Sequence, residues 1–225
     1  MKKLLIINSS ARGARSHSRK LTDVFVDTWK QVYSDSPITY RDLASSNIPH
    51  VTETWISAAF KPESARNPEE VEALKVSTEL ISELKAADVI VIGAPMYNWS
   101  ITSSLKAYVD QVLRMNETWA LNRENRRDPY IGLLKNKTVF LLFSRGAEGY
   151  DPGEYNENIN FQTPYLRRVF NVIGITDIRE VAVNGEMFER DAHALSASIA
   201  AAEIRNLIAA DTLIITQPTV DALIN

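Results

Sequence analysis

The sequence predicts an α/β fold: one five-stranded parallel sheet in the order 2-1-3-4-5, with helices on both faces. Two patterns carry that expectation. Short runs of Val, Ile and Leu without polar alternation read as strands covered on both faces. Between them, apolar residues recur at helical spacing, and strands alternating with helices make a parallel sheet. Right-handed crossovers leave few topologies for five such strands, and this order is the favoured one.

The first strand is Leu4–Ile7, followed by a helix whose apolar face carries Leu21, Val24, Phe25, Thr28 and Val32. Ile38–Leu43 is more polar, as expected of a strand nearer an edge. Val71, Leu74, Thr78, Ile81 and Leu84 share one helical face. Val89–Ile92 is the third strand, and Ile101, Leu105, Tyr108, Val112 and Met115 mark the next helix. Val139–Phe143 is the fourth strand. Phe161–Val172, with Pro164 in its first turn, reads as a helix stopped near Gly174. Ile178–Val183 is the last strand, and the alanine-rich Asp191–Ala210 offers Leu195, Ile199, Ile204 and Leu207 for packing. Ile48–Asn67 and Asn116–Lys137 read as long loops, and Glu148–Gln162 as a long polar segment. The expected domain is 1–210, with 211–225 a C-terminal extension interrupted by Pro218.

Bulk properties bound the function. With 225 residues the chain buries a sizeable core without a staple, and it has no cysteine for a disulfide or thiolate. That fits a reducing cytoplasm. A formal charge of -3 argues against general nucleic-acid binding. Leu4–Ile7 is too short for a signal h-region, and no stretch is long and apolar enough to span a bilayer, so no membrane role is expected. The three histidines lack metal-ligand spacing, and neither G-x-S-x-G nor a phosphate-binding P-loop is present.

In the predicted topology, ligands bind outside the carboxyl ends of the strands. Three segments emerge there. Asn8–Ser18 supplies Ser9, Ser10, Ser16 and Ser18 near a helix N-terminus that attracts anions, with Arg12, Arg15 and Arg19 adding charge. An ordinary serine cap with solvated arginines explains the same residues. Gly93–Ser100, "GAPMYNWS", places Met96, Tyr97, Asn98 and Trp99 where a planar heterocycle would find a wall; core packing or a subunit interface are the alternatives. Ser144–Gly149 offers Ser144 and Arg145 as donors and Gly146 for close backbone approach. Hydroxyls, an aromatic wall and a glycine edge together suit a flavin mononucleotide. Arg123, Arg126 and Arg127 read as a solvated loop or, more sharply, as a pyridine-nucleotide phosphate contact. His50 and His193 are expected at the surface.

These residues resemble the FMN-dependent NADH:quinone oxidoreductases, also called FMN-dependent NADH-azoreductases. The likeness runs from Leu4 to Leu207 and rests on Ser9-Ser10, Ser16-His17-Ser18, "DVIVIGAPMYNWSI" at Asp88–Ile101, "SRG" at Ser144–Gly146, and "TPYLRRVFNVIGITDI" at Thr163–Ile178. The resemblance implies a flavodoxin-like fold with noncovalent FMN. Ser10, Ser16, His17 and Ser18 would lie at its phosphate. Met96, Tyr97, Asn98, Trp99, Ser144, Arg145, Gly146 and Ala147 would flank the ring, with Asn98 and Gly146 positioning it. It further implies a homodimer with active sites at the interface. Two electrons would pass in ping-pong fashion from NADH or NADPH through FMN to quinones or azo compounds, with no side chain catalytic. Trp99 and Ala147 stand where relatives often carry phenylalanine and glycine, and Asn116–Lys137 and Glu148–Gln162 are expected to border the substrate opening. The competing functions are a flavodoxin-type electron carrier that docks with protein partners, and a regulatory protein that keeps the fold without flavin.

Overall fold

A computed structural model describes residues 1–216. The chain runs β1 (Leu4–Asn8), α1 (His17–Val32), β2 (Ile38–Asp42), α2 (Glu53–Phe60), α3 (Pro68–Ala73), α4 (Lys75–Ala86), β3 (Val89–Pro95), α5 (Ser103–Val112), β4 (Trp119–Leu121), β5 (Tyr130–Gly132), β6 (Thr138–Ser144), α6 (Thr163–Val172), β7 (Asp177–Val183) and α7 (Arg190–Thr216). The parallel sheet has the order β2-β1-β3-β6-β7, the expected 2-1-3-4-5 with a hairpin inserted before its fourth strand.

Strand residues point alternately to two cores. Leu5, Ile7, Ile90, Ile92, Val139, Leu141 and Phe143 pack against α4, α5 and α6. Leu4, Ile6, Val89, Val91, Phe140, Leu142, Val181 and Val183 pack against Leu21, Phe25 and Trp29 of α1 and Ala200, Ile204 and Ile208 of α7. Because both faces are covered, the central strands show no polar alternation. The stop at Gly174 takes the form expected of a glycine there. Its φ is +100°, and the N–H groups of Gly174 and Ile175 donate to Asn171 and Phe170, closing the last carbonyls of α6.

Four local expectations are corrected. Ile48–Asn67 contains α2, capped by Thr52, whose hydroxyl accepts from Trp55 N–H. Its buried face is only Trp55, Ala58 and Ala59, too small a stripe to stand out in sequence. The helix expected across Val71–Leu84 breaks at Leu74: α3 has its own capping box of Asn67 and Glu70 with Pro68 at its start, and Val71 faces solvent. On α7, Leu195 and Ile199 are exposed, while the small Ala197 and Ala200 let the helix lie close to α1. Asn116–Lys137 holds the antiparallel hairpin β4–β5. Its base does not border the ligand rim of its own chain. Leu134 N–H donates to Ile173 O beyond α6, at the opposite, amino-terminal edge of the sheet. Of the proposed extension, residues 217–225 lie outside the described residues.

The hairpin docks through backbone. A Cβ on Gly132 would stand 2.1 Å from the Gly174 nitrogen. Gly132→Ala is expected to destabilise the protein by about 1–3 kcal/mol, read as a lower urea midpoint at unchanged m-value.

Candidate functional site

The carboxyl ends of β1, β3 and β6 bring the three predicted segments to one rim. Ser9 is held to β3 by its N–H and hydroxyl, which both donate to Gly93 O at 3.1 and 2.9 Å. Met96 N–H donates to Ser144 O at 2.8 Å, joining the second segment to the third. Gly93 itself permits the arrangement. A Cβ there would meet Asn8 Oδ1 at 2.8 Å, Thr22 Cγ2 at 2.9 Å and Ser18 O at 3.1 Å. The first turn of α1 therefore lies against β3 only because residue 93 has no side chain.

Ser16 is the N-cap of α1, its hydroxyl accepting from Arg19 N–H. Ser16 Oγ and Ser18 Oγ stand 3.1 Å apart, and both residues are buried together with Ser9 and Ser10. Ser10 Oγ accepts from Arg12 N–H and bends the loop. Two of the three arginines named for this segment are paired, whereas Arg15 is exposed and free to add positive charge near the helix start. Arg19 donates to Ser10 O at 2.8 Å and to Asp42 at 2.6 Å, and that hydrogen bond holds the Asp42 carboxyl below the usual range. Arg12 grips both oxygens of Glu186, at 2.6 and 2.7 Å. What remains at the helix start is buried hydroxyls, the positive end of a 16-residue helix and first-turn N–H groups. That donor set fits a phosphate.

The "PMYNWS" stretch forms a tight hairpin. Tyr97 and Ser100 exchange two backbone hydrogen bonds of 3.0 Å, and the central residues Asn98 and Trp99 have φ of 47° and 63°. Positive φ at both positions is the type I′ geometry, which favours Asn first and Gly second. Asn98 is at home there. Trp99 is a bulky residue in the left-handed region, a strain of about 1–2 kcal/mol, and its ring is 53% exposed. Strain is thus retained to hold a large flat apolar ring at the strand ends, and that ring, with Met96 and Tyr97 half-buried beside it, fits a planar heterocycle.

In the third segment the structure reassigns Arg145. Its guanidinium is buried, donating to Gln162 Oε1, Thr163 Oγ1 (2.8 Å) and Asp151, and it lies over the rings of Phe143 and Tyr150. It ties Glu148–Gln162 down onto the sheet rather than reaching into the rim. Gln162, which carries no sequence signal, also donates to Ala94 O at 3.0 Å, and Phe161 N–H donates to Trp99 O. Gly146 is half-buried at the rim, and Ala147 is not among the residues of positive φ, so its departure from glycine costs no backbone strain.

The β7–α7 turn adds residues that sequence reading did not place. Met187 N–H donates to Gly146 O, and its thioether lies where a Cβ of Gly146 would be. Glu186 meets Arg12 and His17. His193, expected at the surface, is half-buried against His17, whereas His50 is exposed as expected.

Comparison with known proteins fits this geometry. A family model for the flavodoxin-like fold matches residues 2–208. The chain is 42% identical over 209 residues to the FMN-dependent NADH:quinone oxidoreductase of Nostoc punctiforme, covering 93% of this chain and 99% of that protein. It is 48% identical over 177 residues to FMN-dependent NADH:quinone oxidoreductase 1 of Trichormus variabilis, covering 78% and 81%. The chain belongs to this flavodoxin-like family. An azoreductase from Bacillus anthracis superposes with a TM-score of 0.83 at 23% identity, over 92% of this chain and 99% of that one. An FMN-dependent NADH-azoreductase from the same species, solved in complex with FMN, gives 0.81 at 24% identity, over 93% and 98%. At such identities these two establish the fold.

Within this flavodoxin-like frame the Asn98-Trp99 turn separates stability from binding. Trp99→Asn should leave the thermal midpoint of the apoprotein unchanged or raise it, since asparagine tolerates positive φ. The same change should weaken FMN retention severalfold in equilibrium dialysis. A loss of both would make Trp99 a packing residue.

Proposed function

We propose that this chain is an FMN-dependent NADH:quinone oxidoreductase that works by two-electron, ping-pong transfer. The single observation that carries the reading is the meeting of three segments at one rim of the sheet, one supplying phosphate donors and another a strained aromatic wall. Bound FMN supplies hydride-transfer chemistry that no side chain here provides. Ser10, Ser16, His17 and Ser18 would hold its phosphate. Met96, Tyr97, Asn98 and Trp99 would flank the ring from one segment, Ser144, Gly146 and Ala147 from another. The N–H groups of the Asn98-Trp99 turn and of Gly146 would be suited to stabilise negative charge at the ring edge. Arg145 acts by anchoring the segment behind them.

NADH is the reductant named for the relatives, and quinones are the acceptors. Azo compounds extend the acceptor range in our reading, as does NADPH the donor range. A homodimer is supported by the exposed Trp99 and Phe161 beside an apolar-lined groove of about 360 Å³ formed by Ile101, Pro164 and Tyr165. A second copy over this groove would keep water from the ring. A reducing, cytoplasmic setting is part of this reading, and a chain without cysteine is compatible with it. A flavodoxin-type carrier would share the fold, but the relatives above are named as NADH-dependent enzymes.

Purified protein loaded with FMN should be yellow, bleach under anaerobic NADH and recolour on adding a quinone. Yellow protein inert to NADH would sink the proposal in favour of a carrier. Replacing Ser16 and Ser18 together by alanine should weaken FMN binding at least about tenfold, the loss of roughly one charge-assisted hydrogen bond. Riboflavin binding, which has no phosphate to lose, should change far less in the same titration.

A further inference from the structure

Beside the serine cap lies a chain of two imidazoles whose proton positions, for singly protonated rings, follow from their hydrogen-bond partners. His193 Nδ1 is 3.0 Å from Asn184 O, a backbone carbonyl that only accepts, so His193 carries its proton on Nδ1. With its single proton on Nδ1, His193 presents a bare Nε2 to His17 Nδ1 at 3.2 Å, and His17 donates there. That places the proton of neutral His17 on Nδ1. The outer nitrogen, Nε2, is left as an acceptor 3.4 Å from Glu186 Oε1, another acceptor. The rings meet edge to face with centroids 4.4 Å apart, which holds the arrangement. One position in the chain thus lacks a proton, and it lies on the first residue of α1, next to the serine cap.

The charged groups facing His17 are Glu186 from the β7–α7 turn, Arg12 from the first loop, Lys20 one turn along α1 and His193 on α7. Burial disfavours the imidazolium and holds His17 below the usual histidine value; Glu186 opposes this, while His193, Lys20 and Arg12 reinforce it. Glu186, although burial works to raise it, is held below its usual value by Arg12 and so stays ionised. The unliganded site at neutral pH therefore has a neutral His17 beside a carboxylate that Arg12 already neutralises. A phosphate dianion at the α1 N-terminus would add negative charge beside the helix's first residue, His17, and favour its protonated form. The imidazolium would then donate from Nε2, which resolves the clash of acceptors.

We propose that this protein takes up a proton at His17 when a phosphate monoester such as FMN binds, with His193 the positioning residue that fixes the His17 tautomer and leaves Nε2 ready to receive it. The inference rests on the FMN reading above and deepens it, assigning a role to His193 and a pH dependence to cofactor retention. The sign follows from linkage. The bound form holds more protons than the free form, so FMN affinity rises as pH falls from the alkaline side toward neutrality.

Isothermal titration of FMN at pH 7.5, in buffers of different ionisation enthalpy, counts the protons. The phosphate is already almost fully dianionic at that pH, its second pKa being about 6. Wild-type protein should take up at least about half a proton per FMN and close to none with riboflavin. His17→Asn should abolish the uptake. Imidazole ¹⁵N spectra of the apoprotein should show both histidines protonated on Nδ1, and His193→Phe should switch His17 to the Nε2–H form, now donating to Glu186. FMN binding without proton uptake, uptake that survives His17→Asn, or a His17 tautomer indifferent to His193 would each overturn the inference while leaving the FMN site intact. Protein that binds neither FMN nor riboflavin would overturn both.

Discussion

The close approach of α1 to β3 over Gly93 is the contact on which the rim depends. With Asn8, Thr22 and Ser18 all within about 3 Å of the place a Cβ would occupy, any side chain there would push the helix start outward. The buried serines would then move away from the strand end that launches the Met96–Trp99 turn. Site geometry in this fold is set by backbone packing first, and side-chain chemistry is laid over it. The hydrogen bonds from Ser9 to Gly93 and from Met96 to Ser144 extend the same coupling across three adjacent strands.

Charge at the rim is arranged with equal economy. Of the arginines in the first segment, Arg19 is bound to Asp42 and Ser10, and Arg12 to Glu186. Their fields are largely cancelled, so in the proposed site attraction for a phosphate would rest on the helix end, the hydroxyls and the exposed Arg15, with the histidine pair as the proposed proton acceptor. Such a site discriminates by directed donors more than by net charge, in keeping with a chain whose overall charge is only -3. The strained Trp99 and the anchored Arg145 show the same division of labour: one residue kept in an unfavourable conformation to present a surface, another buried to hold the segment that backs it.

Much of this was legible beforehand. Strand runs such as Val89–Ile92 and Val139–Phe143 are apolar because both faces are covered, and that imprint is local. The serine cap, the glycine stop at Gly174 and the "PMYN" stretch are local as well. The missed elements share a physical reason. The α2 helix buries too few residues to leave a stripe, the break at Leu74 rests on a capping box inside an otherwise continuous pattern, and Leu195 and Ile199 face solvent because α1 meets alanines instead. Arg145 looked like a ligand donor because two of its partners, Gln162 and Thr163, lie 17 and 18 residues away with no spacing to announce them.

By itself the sequence determined the fold class, the strand order and the three segments at the ligand rim, because burial on both faces and helix capping act over a few residues. Only tertiary structure decided which hydroxyls, arginines and histidines face the rim and which are spent on each other. Those pairings span long separations, 174 residues from Arg12 to Glu186 and 176 from His17 to His193. Partners that distant leave no spacing to read, since their distance is set by how α7 packs beside α1 on one face of the sheet.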